Sequence, residues 1–484
     1  MIERRPSTPK KTTCRRLFAG ALLGIGMLGA VATPSTSFAQ LIDPDLYDGG
    51  KARVNLSDNL RSLTEAIASA SCRFHGQIDA EAARYELAVT MNDFNVIITA
   101  LEHGNPALGI PTPETRALTV DALFNTVIAW APIAASANRL ANGNGTDDDA
   151  AVISDSYAGL FDQSVLLASV ISGQYSNPQE LLQSDATVLN FALRQRALAY
   201  RMSRAMCEMT TQTGDERTLD ELAETVDLFE RTLVALRDGF PDAGIHAPPN
   251  EAVKDSLERT YTQWQEGRTL FDAALAGETP SPDDVINAAA LADQLSVAMN
   301  NTITLYLIAS PGREGVYRVP LEAFARTALT EWTADPALIE AVKAQNARHA
   351  DLTQAEITAL DAAWQSGDPE TQTPDTQALL SHPLSVWLND QQMMTAGFVT
   401  EVLVMDNKGL NVAQSVETAD YWQGDEPIWR ETFLAGPGAL HISEIEFHES
   451  TGFYQSQAAL AIEDPQTGEV IGAIAFGINV QNLM

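Results

Sequence analysis

The chain has 484 residues, enough for two to four domains, and its 64 Asp and Glu against 30 Lys and Arg give a formal net charge of −34. So acidic a chain repels a phosphate backbone, which excludes nucleic acid as a partner. The 7 His and 3 Cys show no spacing typical of a zinc site, and no cofactor-binding or catalytic motif is recognised. We therefore expect neither a cofactor nor an enzymatic activity.

The first 39 residues are typical of an export signal. Basic residues up to Arg16 precede an apolar run at 17–31, and Ser37-Phe38-Ala39 offers small residues at the cleavage subsites. We expect cleavage after Ala39, by the general secretory or the twin-arginine route, to release a soluble periplasmic protein. An uncleaved membrane anchor is the alternative, although the run is shorter than the about 20 residues that a span needs. No later apolar run is expected to reach that length.

A shift of 135 positions superposes two segments of the chain. The matched pairs include Arg61 and Arg196, Cys72 and Cys207, Phe94 and Phe229, Gly104 and Gly239, and, after one deletion, Trp130 and Trp264. Apolar residues recur every three or four positions in both copies, as amphipathic helices require. This pattern predicts two tandem four-helix bundles, at residues 40–180 and 181–312.

Residues 189–202 of the second copy read Leu-Asn-Phe-Ala-Leu-Arg-Gln-Arg-Ala-Leu-Ala-Tyr-Arg-Met. They resemble the PilJ-type domain of type IV pilus chemotaxis transducers, which is similar to the NarX-type periplasmic bundle that senses nitrate and nitrite. The Asn, the Arg-Gln-Arg and the final Arg of that pattern are kept, whereas its Gly is Leu193 and its Ser-Gln pair is Ala199-Tyr200. The resemblance implies an extracytoplasmic sensor in which Arg196 contacts an anion.

The candidate anion site contains Asn190, Arg194, Arg196 and Arg201 of copy two and Arg61 of copy one. Arginine suits a planar oxyanion because its guanidinium group donates paired hydrogen bonds. Copy one has Asn59 and Ala66 where copy two has Arg194 and Arg201, so copy one is the weaker candidate. Ordinary salt bridges to the abundant carboxylates are the alternative, for example between Arg61 and Glu65.

Arg196, Tyr200, Ser203 and Cys207 share one helix face that points away from the apolar stripe. This face is a candidate surface for packing between the two bundles. Cys72 and Cys207 occupy equivalent places, so bundles that pack through their first helices would bring the two thiols together as a disulfide. Two buried free thiols are the alternative.

The pattern changes near residue 313. A helical stretch at 316–364 and a polar linker at 367–374 precede five strand-like runs with turn signals between them. The runs lie at 399–405, 410–415, 440–446, 453–463 and 470–480, with a short helix at 425–434. We predict a mainly α protein with a C-terminal α+β domain at 313–484, in which a long helix leads into a five-stranded antiparallel sheet.

Residues 404–412, 420–426 and 464–472 resemble the Cache domain, a PAS-like extracytoplasmic sensor. The resemblance implies that a small ligand binds on one face of the sheet, beneath the short helix. Its pocket would contain Tyr421, Trp422, Asp425 and Trp429, with Tyr454 and Gln457 on the fourth strand. In the alternative interpretation, Trp422 and Trp429 cap the sheet as ordinary core.

The leading hypothesis is a soluble exported sensor of a small molecule, with an oxyanion or a small organic acid as candidate ligands. No signalling helix follows the sensor-like segments, so we expect the signal to pass to a separate membrane receptor or transducer. The alternative is a structural or interaction protein built from degenerate sensor folds. A homodimer is compatible with both.

Overall fold

The computed structural model describes residues 49–175, 183–214, 216–309, 315–368 and 370–483. All of them fall within the compact unit Asp43–Met484. The predicted export signal lies outside the described residues, so cleavage after Ala39 stays a prediction. The boundaries predicted between the two bundles and the sheet also stay predictions.

The first bundle forms because apolar side chains recur at helical spacing along four segments. Its helices are α1 (Gly50–His75), α2 (Ala80–His103), α3 (Ala117–Ala141) and α4 (Asp147–Tyr175). Their apolar faces meet in one core, where the ring centroids of Phe94 and Trp130 are 4.2 Å apart. Gly104 ends α2 with a φ of 81°, and a Cβ there would lie 2.7 Å from the backbone of Thr112. Glycine is therefore required at this turn.

The second bundle repeats this architecture. Its helices are α5 (Gln183–Thr211), α6 (Thr218–Asp238), α7 (Glu251–Arg268), the one-turn α8 (Asp272–Leu275) and α9 (Pro282–Ala309). In both copies a β-bridge closes the loop after the second helix, from Asn105 to Ile110 and, 135 positions later, from Phe240 to Ile245. The two copies that the sequence predicts as four-helix bundles therefore fold in the same way.

The stretch 316–364 is divided into several helices rather than forming one long helix. The connecting helices are α10 (Arg318–Phe324), α11 (Thr330–Thr333), α12 (Pro336–Arg348), α13 (Gln354–Gln365), α14 (Pro374–Gln377) and α15 (Pro383–Met393), with a π-helical turn at Ala325–Leu329. The breaks have local causes. Asp335 caps the N-terminus of α12, and Thr353 forms a capping box with Glu356 at the start of α13.

The C-terminal sheet is antiparallel, as predicted, and has six strands. They are β1 (Val399–Met405), β2 (Asn411–Gln414), β3 (Leu440–Ile442), β4 (Glu446–His448), β5 (Phe453–Glu463) and β6 (Val470–Ile478), with helix α16 (Pro427–Arg430) between β2 and β3. The order is β2-β1-β6-β5-β3, and β4 also pairs with β5. The predicted strand 440–446 is interrupted, so that its two ends pair separately with β5.

One face of the sheet shares its core with the second bundle, and α16 covers a smaller core on the opposite face. After β6 the chain forms a 3-10 turn, Val480–Leu483, that packs against α1 and α9. We call this segment the closing turn. It brings the sheet region into contact with both bundles.

Among the described residues, α3 is long and apolar enough by composition to cross a membrane. This corrects the expectation that no later apolar run reaches that length. One side of α3 is nevertheless part of the first bundle, because Leu123, Trp130 and Ile133 are buried in its core.

Candidate anion site between the two bundles

Helices α1 and α5 lie side by side and run parallel. Glu65 contacts Arg201 at 2.8 Å, the Oγ atoms of Ser69 and Ser203 are 2.9 Å apart, and Cys72 is bonded to Cys207. Positions related by about 135 therefore face each other, and the two bundles are related by a local pseudo-two-fold axis along this seam. The structure thus has the disulfide that the repeat suggested and packs the bundles through their first helices.

Three arginines gather near one end of this seam. Arg61 of α1 and Arg196 of α5 are each only 7% exposed, whereas Arg194 is exposed. Burial and the positive charges of Arg194 and Arg196 lower the pKa of Arg61 to about 10. Burial likewise lowers the pKa of Arg196 to about 10. The surroundings of both side chains therefore destabilise the charged form of the guanidinium group.

The partners of these arginines leave donors unused. Arg61 contacts the carboxylate of Asp58 one turn earlier on α1. Arg196 donates from Nη1 to Oδ1 of Asn300 at 3.3 Å, but its Nε and Nη2 are buried without a protein partner among the described residues. Each buried donor left unpaired costs about 1–3 kcal/mol, and more when it is charged. An anion at this position would receive those donors.

The closing turn covers the same region. Nδ2 of Asn55 donates to Oδ1 of Asn482 at 2.6 Å. Nε2 of Gln481 donates to the carbonyl oxygen of Asn300 at 2.7 Å and to Thr304 at 2.8 Å. Asn300 therefore touches both Arg196 and the closing turn. Sequence reasoning missed these contacts, because Asn55 and Asn482 are 427 positions apart.

Arg201, unlike Arg196, is paired with a carboxylate. It pairs with Glu65 and lies over the ring of Phe161, 4.7 Å from the ring centroid. The alternative interpretation, an ordinary salt bridge, thus applies to Arg201. Glu65 is on the other copy, however, and the suggested pair between Arg61 and Glu65 is replaced by the contact of Arg61 with Asp58. Asn190 is exposed, and no contact with another described residue places its side chain in the site.

Arg204, next on the seam, shows what a fully paired buried arginine looks like. It contacts Glu65 at 2.9 Å, Glu208 at 2.8 Å and Glu221 at 2.6 Å. Burial opposes its charge, but the three carboxylates outweigh burial and raise the pKa of Arg204. Arg196 and Arg204 are therefore both buried, but only Arg204 is surrounded by carboxylates. Sequence reasoning did not single out Arg204.

The six residues predicted for a Cache-like pocket do not share one face of the sheet. Tyr454 and Gln457 are three positions apart on β5, and side chains alternate along a strand, so they lie on opposite faces. Tyr454 packs against Phe447, whereas Nε2 of Gln457 donates to the buried carboxylate of Glu401 at 3.1 Å. Asp425 is exposed. The expectation that Tyr454 and Gln457 face a common pocket is therefore wrong.

The aromatic residues of that prediction are packed as core. Tyr421 is buried against Trp364. The indole nitrogens donate to backbone carbonyls, Trp422 to Lys408 at 2.8 Å and Trp429 to Asp406 at 2.9 Å. These contacts fit the alternative interpretation, in which both tryptophans cap the sheet.

Residues 180–290 match the family model described as "Type IV pili methyl-accepting chemotaxis transducer N-term". The match extends from the start of α5 into α9, so it includes Arg194 and Arg196 but neither the first bundle nor the sheet. It supports a transducer-type helical region with a sensory or signalling role over those residues. No curated protein and no solved structure matches the chain.

Proposed function

We propose that the protein is an exported sensor that binds a small oxyanion between its two helical bundles. The observation that carries the proposal is Arg196, a buried guanidinium whose Nε and Nη2 have no protein partner among the described residues. Those two nitrogens form one edge of the guanidinium plane. Such an edge donates two parallel hydrogen bonds to two oxygens of a nitrate, nitrite or carboxylate.

Electrostatics favour an anion at this place. Arg61, Arg194 and Arg196 bring three positive charges together, and Asp58 supplies one negative charge among their contacts. The chain as a whole is strongly acidic, with a net charge of −34. A cluster of cations inside such a chain destabilises the protein unless a ligand neutralises it, because buried like charges repel. An anion would therefore stabilise the folded state.

The repeat explains why the site lies at this seam. Arg61 and Arg196 are equivalent positions of the two copies, and α1 and α5 pack in parallel. A single chain thereby forms the kind of two-fold interface that two identical subunits would form. Both bundles would then derive from the transducer-type module, with copy two retaining the fuller arginine motif. The sheet region, whose sequence resembles a Cache domain, would serve the output through the closing turn.

The proposal includes export, cleavage after Ala39 and signalling through a separate membrane receptor or transducer, without catalysis. The leader sequence supports export, and the disulfide fits an oxidising compartment. An anion that binds the folded state alone raises the melting temperature, so ligands can be screened by thermal unfolding.

The test uses a chain of residues 40–484, which contains the whole compact unit. Nitrate, nitrite, formate, acetate and sulfate are titrated calorimetrically in a buffer of bulky organic anions. We expect one of the planar oxyanions to bind once per chain, and Arg196→Lys to weaken it at least tenfold, because lysine keeps the charge but lacks the fork. Arg231→Lys, at an exposed arginine paired with Asp227, is the matched control. No binding, or equal binding by Arg196→Lys, would contradict the proposal.

A further inference from the structure

Helix α3 presents an apolar face to solvent. Val120 is 43% exposed, Phe124 64% and Ile128 55%. Phe124, Ile128, Ala131 and Ala135 follow one another at intervals of four, three and four residues, and all four are exposed. This is the spacing of a coiled-coil seam. Leu166 on the neighbouring α4 is also exposed. We call this surface the α3 seam.

The second copy supplies an internal comparison. After the one-residue deletion, Phe124 corresponds to Glu258, Ile128 to Thr262 and Ala131 to Gln265, all exposed on α7. The two helices occupy the same place in the same fold, so a four-helix bundle of this kind needs no apolar residues there. An exposed apolar surface that the fold does not require indicates an interaction site.

We propose that the α3 seam is the interface of a homodimer, in which α3 packs against α3 of a second copy across a two-fold axis. An antiparallel arrangement places Phe124 of each copy beside Ile128 of the other. Ala131 and Ala135 then lie toward the ends of the contact, where their small side chains allow close approach. The seam thus complements itself, as a two-fold interface requires.

Charge argues against two other occupants, a basic protein and an anionic membrane. From 117 to 138 the only charged residue is Asp121, so the surface offers nothing for a basic partner to pair with. The net charge of −34 repels an anionic bilayer. The seam consists of a few side chains on one helix and Leu166 of α4, which is small beside the about 1,000 Å² that a specific interface buries at least. The dimer should accordingly be weak, with a dissociation constant in the micromolar range.

Sedimentation velocity of the 40–484 chain from about 1 to 200 µM tests the proposal. We expect a concentration-dependent dimer. Its dissociation constant should fall as the salt concentration is raised, because salt screens the repulsion between two acidic chains. A basic partner or a charged bilayer would show the opposite salt dependence.

The decisive variant is Phe124→Glu with Ile128→Thr, which installs the residues that copy two has at the same positions. It should remain monomeric over the whole concentration range while its melting temperature stays within a few degrees of the parent. Leu434→Glu, at a 63% exposed leucine outside α3, is the control and should dimerise normally. A parent chain that is monomeric throughout, or a dimer that survives the double substitution, overturns the proposal. So does a monomeric parent that co-sediments with phosphatidylcholine vesicles through the same two residues.

Discussion

Replacing Arg196 by methionine should stabilise the ligand-free protein. Methionine keeps a long unbranched side chain, so the packing of α5 is largely retained. The substitution removes two buried donors without protein partners among the described residues, each worth about 1–3 kcal/mol, and loses one long hydrogen bond to Asn300 worth about 1 kcal/mol or less. It also relieves the repulsion with Arg61. We expect a net gain of about 1–3 kcal/mol in the free energy of unfolding.

Urea unfolding in a buffer without small oxyanions measures this gain, since guanidinium chloride would add both a guanidinium and an anion. Arg204→Met on the same helix is the matched control, because Arg204 is also buried and the substitution is the same. It leaves Glu208 without a cation and Glu65 and Glu221 with Arg201 alone, and it should cost about 3–5 kcal/mol. If Arg196→Met is destabilising to a similar extent, Arg196 is a structural residue, and the reasoning about its unused donors is refuted.

Three further predictions concern stability. Burial raises the pKa of Asp93 to about 7, so its ionised form destabilises the fold and stability should fall as the pH rises from about 4 through 7. Asp93→Asn should abolish that decline and exceed the parent by about 1–4 kcal/mol at pH 8 in urea titrations, with no difference near pH 3. Reduction of the Cys72–Cys207 bond, which spans 135 positions, should cost about 4–5 kcal/mol, whereas dithiothreitol should leave the unfolding of the double serine variant unchanged. Gly104→Ala should lower the melting temperature far more than Gly143→Ala, because both have positive φ but only Gly104 faces backbone atoms.

The sequence predicted those features that depend on local periodicity or on the repeat. The helices of both bundles follow from their apolar spacing. The meeting of Arg61 with Arg196 and of Cys72 with Cys207 follows from equivalent positions on two parallel helices. Once the repeat is recognised, these contacts need only the assumption that the first helices pack together.

Features that depend on distant partners could not be predicted. Nothing near Arg201 indicates that Glu65 of the other copy pairs with it, and nothing in Asn482 indicates Asn55. The wrong placement of Tyr454 and Gln457 on one face was avoidable, since the alternation of a strand separates residues three apart. The break in the helical stretch 316–364 could also have been predicted, because Asp335 followed by Pro336 is typical of the start of a new helix.

The closing turn affects the order in which the protein can assemble. Helix α1 is among the first segments to leave the ribosome, yet its Asn55 is paired with a residue made 427 positions later. At about 5–20 residues per second, that separation corresponds to roughly 20–90 seconds of synthesis. The bundles can fold during this interval, but the contact between Asn55 and the closing turn cannot form until the last residues have been made. The anion site proposed above would therefore lack its closing turn until the whole chain has been synthesised.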